Sequence, residues 1–283
     1  MRYYHVYTKG LDSDIIFRDD KDYIAGMNIV AITHFKASVK ILAFVLMSNH
    51  FHFVIYGNRV SVIQFINIYK KLVSTYIYHR YHETSFLKGL ETSCDEIDMT
   101  SDALKRIIAY VLDNPVKAGS QSLAVYYLWG SASCYFSQNK LIEGRPLSSY
   151  GVRELRRILH SNIVLPSNYI MTARGYISPS SYVDFRMVEQ VYGKARSLEY
   201  FLSTSASSRQ MRKDILMFSD TLIISALEEL LGTKYGSSIE ELDLDMRRNL
   251  LNDLRKHFNT SAKQLSRVTG LPLKCVLDTI GNI

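Results

Sequence analysis

The stretch from Ile41 to Tyr56 constrains the fold of this chain more than any other. Apolar Ile41–Leu46 and Phe53–Tyr56 lie on either side of Met47-Ser48-Asn49-His50-Phe51-His52-Phe53. Two short apolar runs separated by a polar dipeptide read as buried strands joined by a tight reversal at Ser48-Asn49. Side chains alternate along a strand, so His50 and His52 share one face while Phe51 turns into the core. The chain must therefore build a sheet around this hairpin, and one face of it presents two imidazoles.

The flanking segments supply the rest of such a sheet. Arg2 to Lys9 is rich in Tyr and Val and reads as a first strand. Asp19 and Asp20 are N-caps for a helix reaching about Lys36, with Ile24, Met27, Ala31, Ile32 and Phe35 at helical spacing. Val39 to Met47 is a buried strand, and His50 to Tyr56 returns beside it. Val60 to about Tyr81 is helical through Ile63, Ile66, Val73 and Ile77. Thr84 to Thr100 is polar and reads as loop. Ser101-Asp102 caps another helix, expected to end at Asn114 because the residue before Pro115 avoids the α region. Ser122 to Leu128 closes the sheet as a fourth strand. The order β-α-β-β-α-(α)-β is the ferredoxin-like split βαβ arrangement, an α+β fold with an antiparallel sheet.

The second half reads as an all-α region. Gly151 to His160 places Arg153, Arg156 and Arg157 on one helical face. Ser178 to Phe201 is helical, Ser203 to Ser208 is a break, and Ile215–Leu231 and Leu242–His257 are two further helices. Ser261 to Ile280 has helix-turn-helix spacing. Leu265 is apolar, Ser266 is small where helices approach, Gly270 allows the turn, and Leu271, Val276 and Ile280 pack the second helix. That second helix carries only Lys274 as a cation, and a generic terminal helical hairpin fits the same pattern. The expected division is 1–145 for the sheet domain, 146–235 for a helical connecting region and 236–283 for the helix-turn-helix-like unit.

Lys and Arg number 34 against 27 Asp and Glu, a net charge of +7 that suits a polyanionic partner without demanding one. Cys94, Cys134 and Cys275 are odd in number and widely spaced, which argues against a disulfide framework and for a reducing cytosol. The N-terminus runs straight into a strand pattern without a signal peptide, and no apolar run reaches the roughly 18 residues of a membrane span. The expectation is a soluble cytoplasmic protein with no membrane partner.

Three features carry chemistry. The His50/His52 pair can hold a metal ion, although lone strand histidines are usually core or surface residues, and no Cys cluster completes a four-ligand zinc site. Tyr110 sits about a quarter turn from the stripe Leu104, Ile107, Ile108 and Val111, a position that suits a boundary tyrosine as well as a nucleophile. Asn114 follows one turn later on the same side of the helix. Histidine pair, tyrosine and amide together suggest a nuclease that joins itself covalently to DNA. Tyr69, Lys70, Lys71, Tyr76, Tyr78, His79, Arg80 and Tyr81 also interleave aromatic and basic residues, which can stack bases and neutralise phosphates.

The order of several blocks resembles a known family. They are Tyr4-His5-Val6 with Thr8-Lys9-Gly10, Ile16-Phe17-Arg18-Asp19-Asp20, Leu46 to His52, Tyr110 to Gly119 and Leu128-Trp129-Gly130-Ser131. Over roughly residues 1 to 137 the chain resembles the single-tyrosine HUH transposases, in particular the REP-associated tyrosine transposases. The resemblance implies that His50 and His52 are the metal-binding pair, Tyr110 the nucleophile and Asn114 a third metal-side ligand, with Mg²⁺ or Mn²⁺ as the ion. It implies a metal-dependent single-stranded DNA endonuclease and strand transferase with a 5′-phosphotyrosine intermediate, acting on single-stranded or hairpin DNA. A homodimer is compatible with it. Expected DNA contacts are Lys70, Lys71, Arg80, Arg153, Arg156, Arg157 and Lys274. The chain departs from the family where its basic block shrinks to Ser85-Phe86-Leu87-Lys88-Gly89 and where Glu91 to Asp98 is acidic. Two rivals remain open: a non-catalytic, sequence-specific DNA-binding regulator on the same fold, and a metal-dependent hydrolase that uses water.

Overall fold

A computed structural model describes residues 1–8, 15–84, 87, 91–98, 102–137, 144–205, 220–236, 238–258 and 260–280. The blocks Lys9-Gly10 and Ser85–Gly89, apart from Leu87, lie outside the described residues, as do Ser101 and residues 206–219. The fold is mixed α+β. Strands β1 (Arg2–Thr8), β2 (Lys40–Leu46), β3 (Phe51–Gly57) and β4 (Thr92–Glu96) form an antiparallel sheet in the order β2-β3-β1-β4. The hairpin closes as its sequence demands: Met47 donates its backbone N–H to His50 O at 2.8 Å, and the backbone N–H groups of Ile16 and Phe17 donate to Ser48 O at 2.7 and 3.0 Å.

The fourth strand is Thr92–Glu96, in the polar stretch expected to be loop. It pairs with β1 at the edge of the sheet and is only partly buried, so its side chains show no apolar alternation. Ser122–Leu128 is not a strand. It forms a short 3₁₀ turn at Ala124–Tyr126 and leaves Leu123, Val125, Tyr126 and Leu128 exposed. The segment just beyond it covers the outer edge of β2. Leu46 donates its N–H to Trp129 O at 2.8 Å, and Ser131 donates its own to Phe44 O at 3.0 Å. Gly130 is needed there, because a Cβ would stand 2.9 Å from Phe44 O.

Helices α1 (Asp20–Lys36) and α2 (Arg59–Tyr81) pack together on one face. Asp19 caps α1 by accepting from the Asp22 N–H, and Asn58 caps α2 by accepting from the Ser61 N–H. Phe65 and Tyr69 of α2 meet Phe53 and Phe51 edge-on, so the phenylalanines of β3 fill this side. Helix α3 (Ala103–Lys117) crosses the opposite face, over β2 and β3. It runs through Pro115 instead of stopping at Asn114. Proline removes the N–H that Val111 O would accept, and the Asn114 side-chain amide donates to Tyr110 O at 2.9 Å and to Val111 O at 3.4 Å in its place.

The region after residue 145 is not all helical. Strands β5 (Gly144–Pro146) and β6 (Ile170–Thr172) make a small second sheet, followed after α4 (Val152–Leu159) and that sheet by α5 (Phe185–Tyr192) and α6 (Ala195–Ser205). The helix expected over 178–201 is interrupted at Gly193, whose φ of 75° lies outside the helical range. This region packs on the first sheet. Asn28 donates to Gly175 O at 3.0 Å and accepts from the Ile177 N–H at 2.9 Å, and Asp184 N–H donates to Ile41 O at 2.8 Å. Its buried residues continue the first core through Leu198. A second core gathers Ile223, Leu227, Leu250, Leu254, Leu265 and Val276 from α7 (Asp220–Leu230), α8 (Leu244–Phe258), α9 (Ala262–Thr269) and α10 (Leu273–Ile280). Gly270 turns α9 into α10 at φ 73°. Among the described residues, no helix is long and apolar enough to cross a membrane.

Candidate active site

The site lies on the sheet face opposite the phenylalanines. The β1–β3 register sets Tyr7 against His52, with His5 two residues back on the same side. His52 and His5 stack at 5.3 Å between ring centroids, and His52 Nδ1 lies 3.1 Å from His5 Nε2. His50, at the mouth of the hairpin, meets His52 edge-on at 5.1 Å. Its Nδ1 is 2.7 Å from Asn49 Oδ1. An amide oxygen can only accept, so Nδ1 carries the proton and the neutral ring keeps its lone pair on Nε2. The Nε2 atoms of His50 and His52 are among the buried atoms that make no hydrogen bond. A second group holding Nδ1 while Nε2 stays available is the arrangement of a metal-ligating histidine.

Helix α3 brings Tyr110 to this cluster. Its ring stands edge-on to His52 at 5.6 Å and to His5 at 5.9 Å. Tyr110 is 8 % exposed, His52 1 % and His50 0 %. One and two turns further along α3, Asp113, Asn114 and Lys117 continue the same side. The Asn114 amide N–H₂ is held by helix carbonyls, which leaves Oδ1 as the donor atom for a cation. Lys117 Nζ lies 4.7 Å from the Tyr110 ring centroid, donates to Ser205 Oγ of α6 at 2.9 Å, and is 3.9 Å from Asp113 Oδ2. Burial pushes the Asp113 carboxyl up to about 6, against the opposing pull of Lys117. The ion pair is too long for a hydrogen bond, and the desolvation of Asp113 outweighs it. Among the described residues, no group of three or more His, Cys, Asp or Glu could hold a metal ion. An ion here would need the two imidazoles, the Asn114 oxygen, a substrate phosphate and water.

The expected DNA contacts do not gather at this site. Tyr69 and Arg80 sit on the other side of the sheet, on α2. Tyr69 is core, packed under Phe51 and Phe53. Arg80 is spent on ion pairs with Asp19 and the buried Asp22, and Tyr76 and Tyr81 donate to Asp22 at 3.0 and 2.8 Å. Lys70 reaches across to Thr92 Oγ1 at 3.2 Å, while Lys71 is exposed. Arg153, Arg156 and Arg157 are exposed on α4, which packs on α1, and Lys274 is exposed on α10. Sequence reasoning missed His5, Tyr7, Lys117 and Ser205 as members of the site. His5 and Tyr7 share a strand face by alternation, and Lys117 follows Tyr110 by seven residues, two helical turns; these signals were legible.

No protein-family model matches the chain, and no match was found among the curated proteins. Among solved structures, the chain is similar to a REP-associated tyrosine transposase bound to a REP hairpin. The identity is 12 %, over 50 % of this chain and 82 % of that one, with a TM-score of 0.35.

Proposed function

We propose that the protein cleaves and rejoins single-stranded DNA through a covalent link to Tyr110. The observation that carries this reading is that Tyr110, one turn before Asn114, stands against His52, which in turn meets His50, so a helix and a hairpin some sixty residues apart in sequence converge. The β2-β3-β1-β4 order, with α1 and α2 on one face, supports a ferredoxin-like split βαβ domain of the HUH type. The Gly270 turn between α9 and α10 supports a helix-turn-helix-like unit. On this reading the catalytic unit extends to Ser205, and a DNA-binding unit begins at Asp220.

A phenol with an ordinary pKa near 10 is a weak nucleophile at neutral pH. Mg²⁺ or Mn²⁺, when held by His50, His52 and Asn114, would supply Lewis-acid polarisation of the scissile phosphate, and Mn²⁺ tolerates imidazole better. The protein's own part is positional. His5 and Asn49 fix the imidazoles, and α3 aims the tyrosine. The Tyr110 phenol gives up its proton as the Oη–P bond forms, the P–O3′ bond breaks, and the departing 3′ oxygen takes up a proton, so protons and electron pairs balance. One phosphodiester replaces another, so little bond energy is lost and a second strand can be joined.

The test is a covalent adduct. The full chain is mixed with Mn²⁺ and a labelled pool of hairpin-bearing single-stranded oligonucleotides, then run under denaturing conditions. A labelled protein band is expected, mass spectrometry should place the nucleotide on Tyr110, and Tyr110→Phe should bind without forming the band. Binding with neither adduct nor cleavage leaves the non-catalytic regulator. Cleavage without an adduct leaves the water-using hydrolase.

A further inference from the structure

We propose that Lys117 is a phosphate-binding residue of this site, held in place by Ser205 from α6. This deepens the reading of Tyr110 as a nucleophile and rests on it. The nucleophile must receive a phosphodiester, an anion, at a face whose other members are imidazoles, an amide and a carboxyl. Lys117 supplies a cation within reach. Its ammonium lies 4.7 Å from the Tyr110 ring centroid, so an oxygen atom placed between Tyr110 and solvent falls within its range. The residue is exposed, whereas Tyr110, Asp113 and Asn114 are buried, so Lys117 forms the rim that an incoming strand meets first.

The partners of Lys117 leave its charge available. The short contact, 2.9 Å, is to a neutral hydroxyl, that of Ser205. The only carboxylate paired with it among the described residues is Asp113, at 3.9 Å. A lysine positioned by a neutral hydroxyl keeps its Coulomb attraction for phosphate, whereas one locked on a carboxylate gives most of it up. Arg80 shows the contrast, bound to two carboxylates on the far side of the sheet. Helix α6 thus contributes to the nucleophile's surroundings, although it lies far beyond the sheet in sequence. Tyr192 OH donates to Lys105 O at 2.6 Å and Lys105 stands over the Phe201 ring at 5.7 Å, which fixes α5 and α6 against α3.

The test separates binding from chemistry. In the Tyr110→Phe background, affinity for the oligonucleotide pool is measured against salt, with Lys117, Lys117→Met and Lys117→Arg. Loss of one phosphate contact should shrink the slope of log affinity against log salt by about 0.7 for a single strand, and Lys117→Arg should keep it. With Tyr110 intact, Lys117→Met should slow adduct formation by about 100-fold, Lys117→Arg should restore most of it, and Ser205→Ala should weaken it less. Wild-type adduct formation with an unchanged slope and rate in Lys117→Met would overturn the role of Lys117 alone. A lost slope without any wild-type adduct would keep the phosphate site and overturn the nuclease reading. Failure of the wild type to bind overturns both.

Discussion

His52 is held from both sides, by His5 at its Nδ1 and by the edge of Tyr110, and both partners come from other elements. If the pair holds the ion, His50→Ala with His52→Ala should abolish adduct formation, and EDTA should do the same to the wild type until Mn²⁺ or Mg²⁺ is restored. Both rings are buried, so the double variant should be checked by thermal melting, because two voids cost stability on their own. Full activity in a folded double variant would sink the metal assignment. The shared face of His50 and His52 is legible in the His-x-His spacing and that of His5 and Tyr7 in strand alternation, while the register that sets His5 beside His52 is not displayed by the sequence.

At the scale of elements, two departures from the sequence pattern have separate causes. The fourth strand was sought where the sequence is apolar, at 122–128, and lies where it is polar, at Thr92–Glu96, because an edge strand needs backbone pairing more than an apolar face. Helix α3 was stopped at Asn114 on the rule that residues before proline leave the α region. The Asn114 amide repairs the missing donor, so the helix keeps going, and the early stop hid Lys117 from view. Long amphipathic or capped elements, α1 and α2 among them, were readable from spacing and Asp19 alone. Helix α1 also carries a pH-sensitive group. His34, in its last turn, would gain from the helix dipole if charged, yet burial lowers its pKa below the ordinary 6.5, and desolvation wins. A depressed imidazole contributes stability above 6.5 that is lost as pH falls through the lowered value. The melting temperature should therefore drop on acidification from pH 7 toward 5, and His34→Gln should flatten that drop. Identical pH profiles would show that burial at His34 is not felt.

At the scale of the whole molecule, the two cores decide where the chain can be cut. The first runs through Leu198 and the second starts at Ile223. A truncation near residue 235 would strip α8 to α10 from Ile223 and Leu227 and leave them bare. Ending the chain after Ser205 removes the second core entire and keeps the Lys117–Ser205 contact. That shortened protein is expected to fold, to form the Tyr110 adduct, and to bind duplex-flanked hairpins more weakly with a shallower salt slope. Unchanged affinity and slope would make α7 to α10 a structural or protein-interaction module. The sequence showed that the two halves differ. It could not show that residues 144–205 belong with the sheet, because that assignment rests on distant partners such as Asn28 with Gly175 and Ile177.

The polar strand at the sheet's margin has a consequence for solubility. An open row of backbone donors and acceptors is a template for another chain, and long apolar edges recruit one. Here the margin is five residues long and ends in Asp95 and Glu96, both exposed. A second molecule laid alongside in parallel register would set Asp95 against Asp95 and Glu96 against Glu96, like charges directly opposed. The acidity of this margin thus guards against in-register stacking of one copy upon the next.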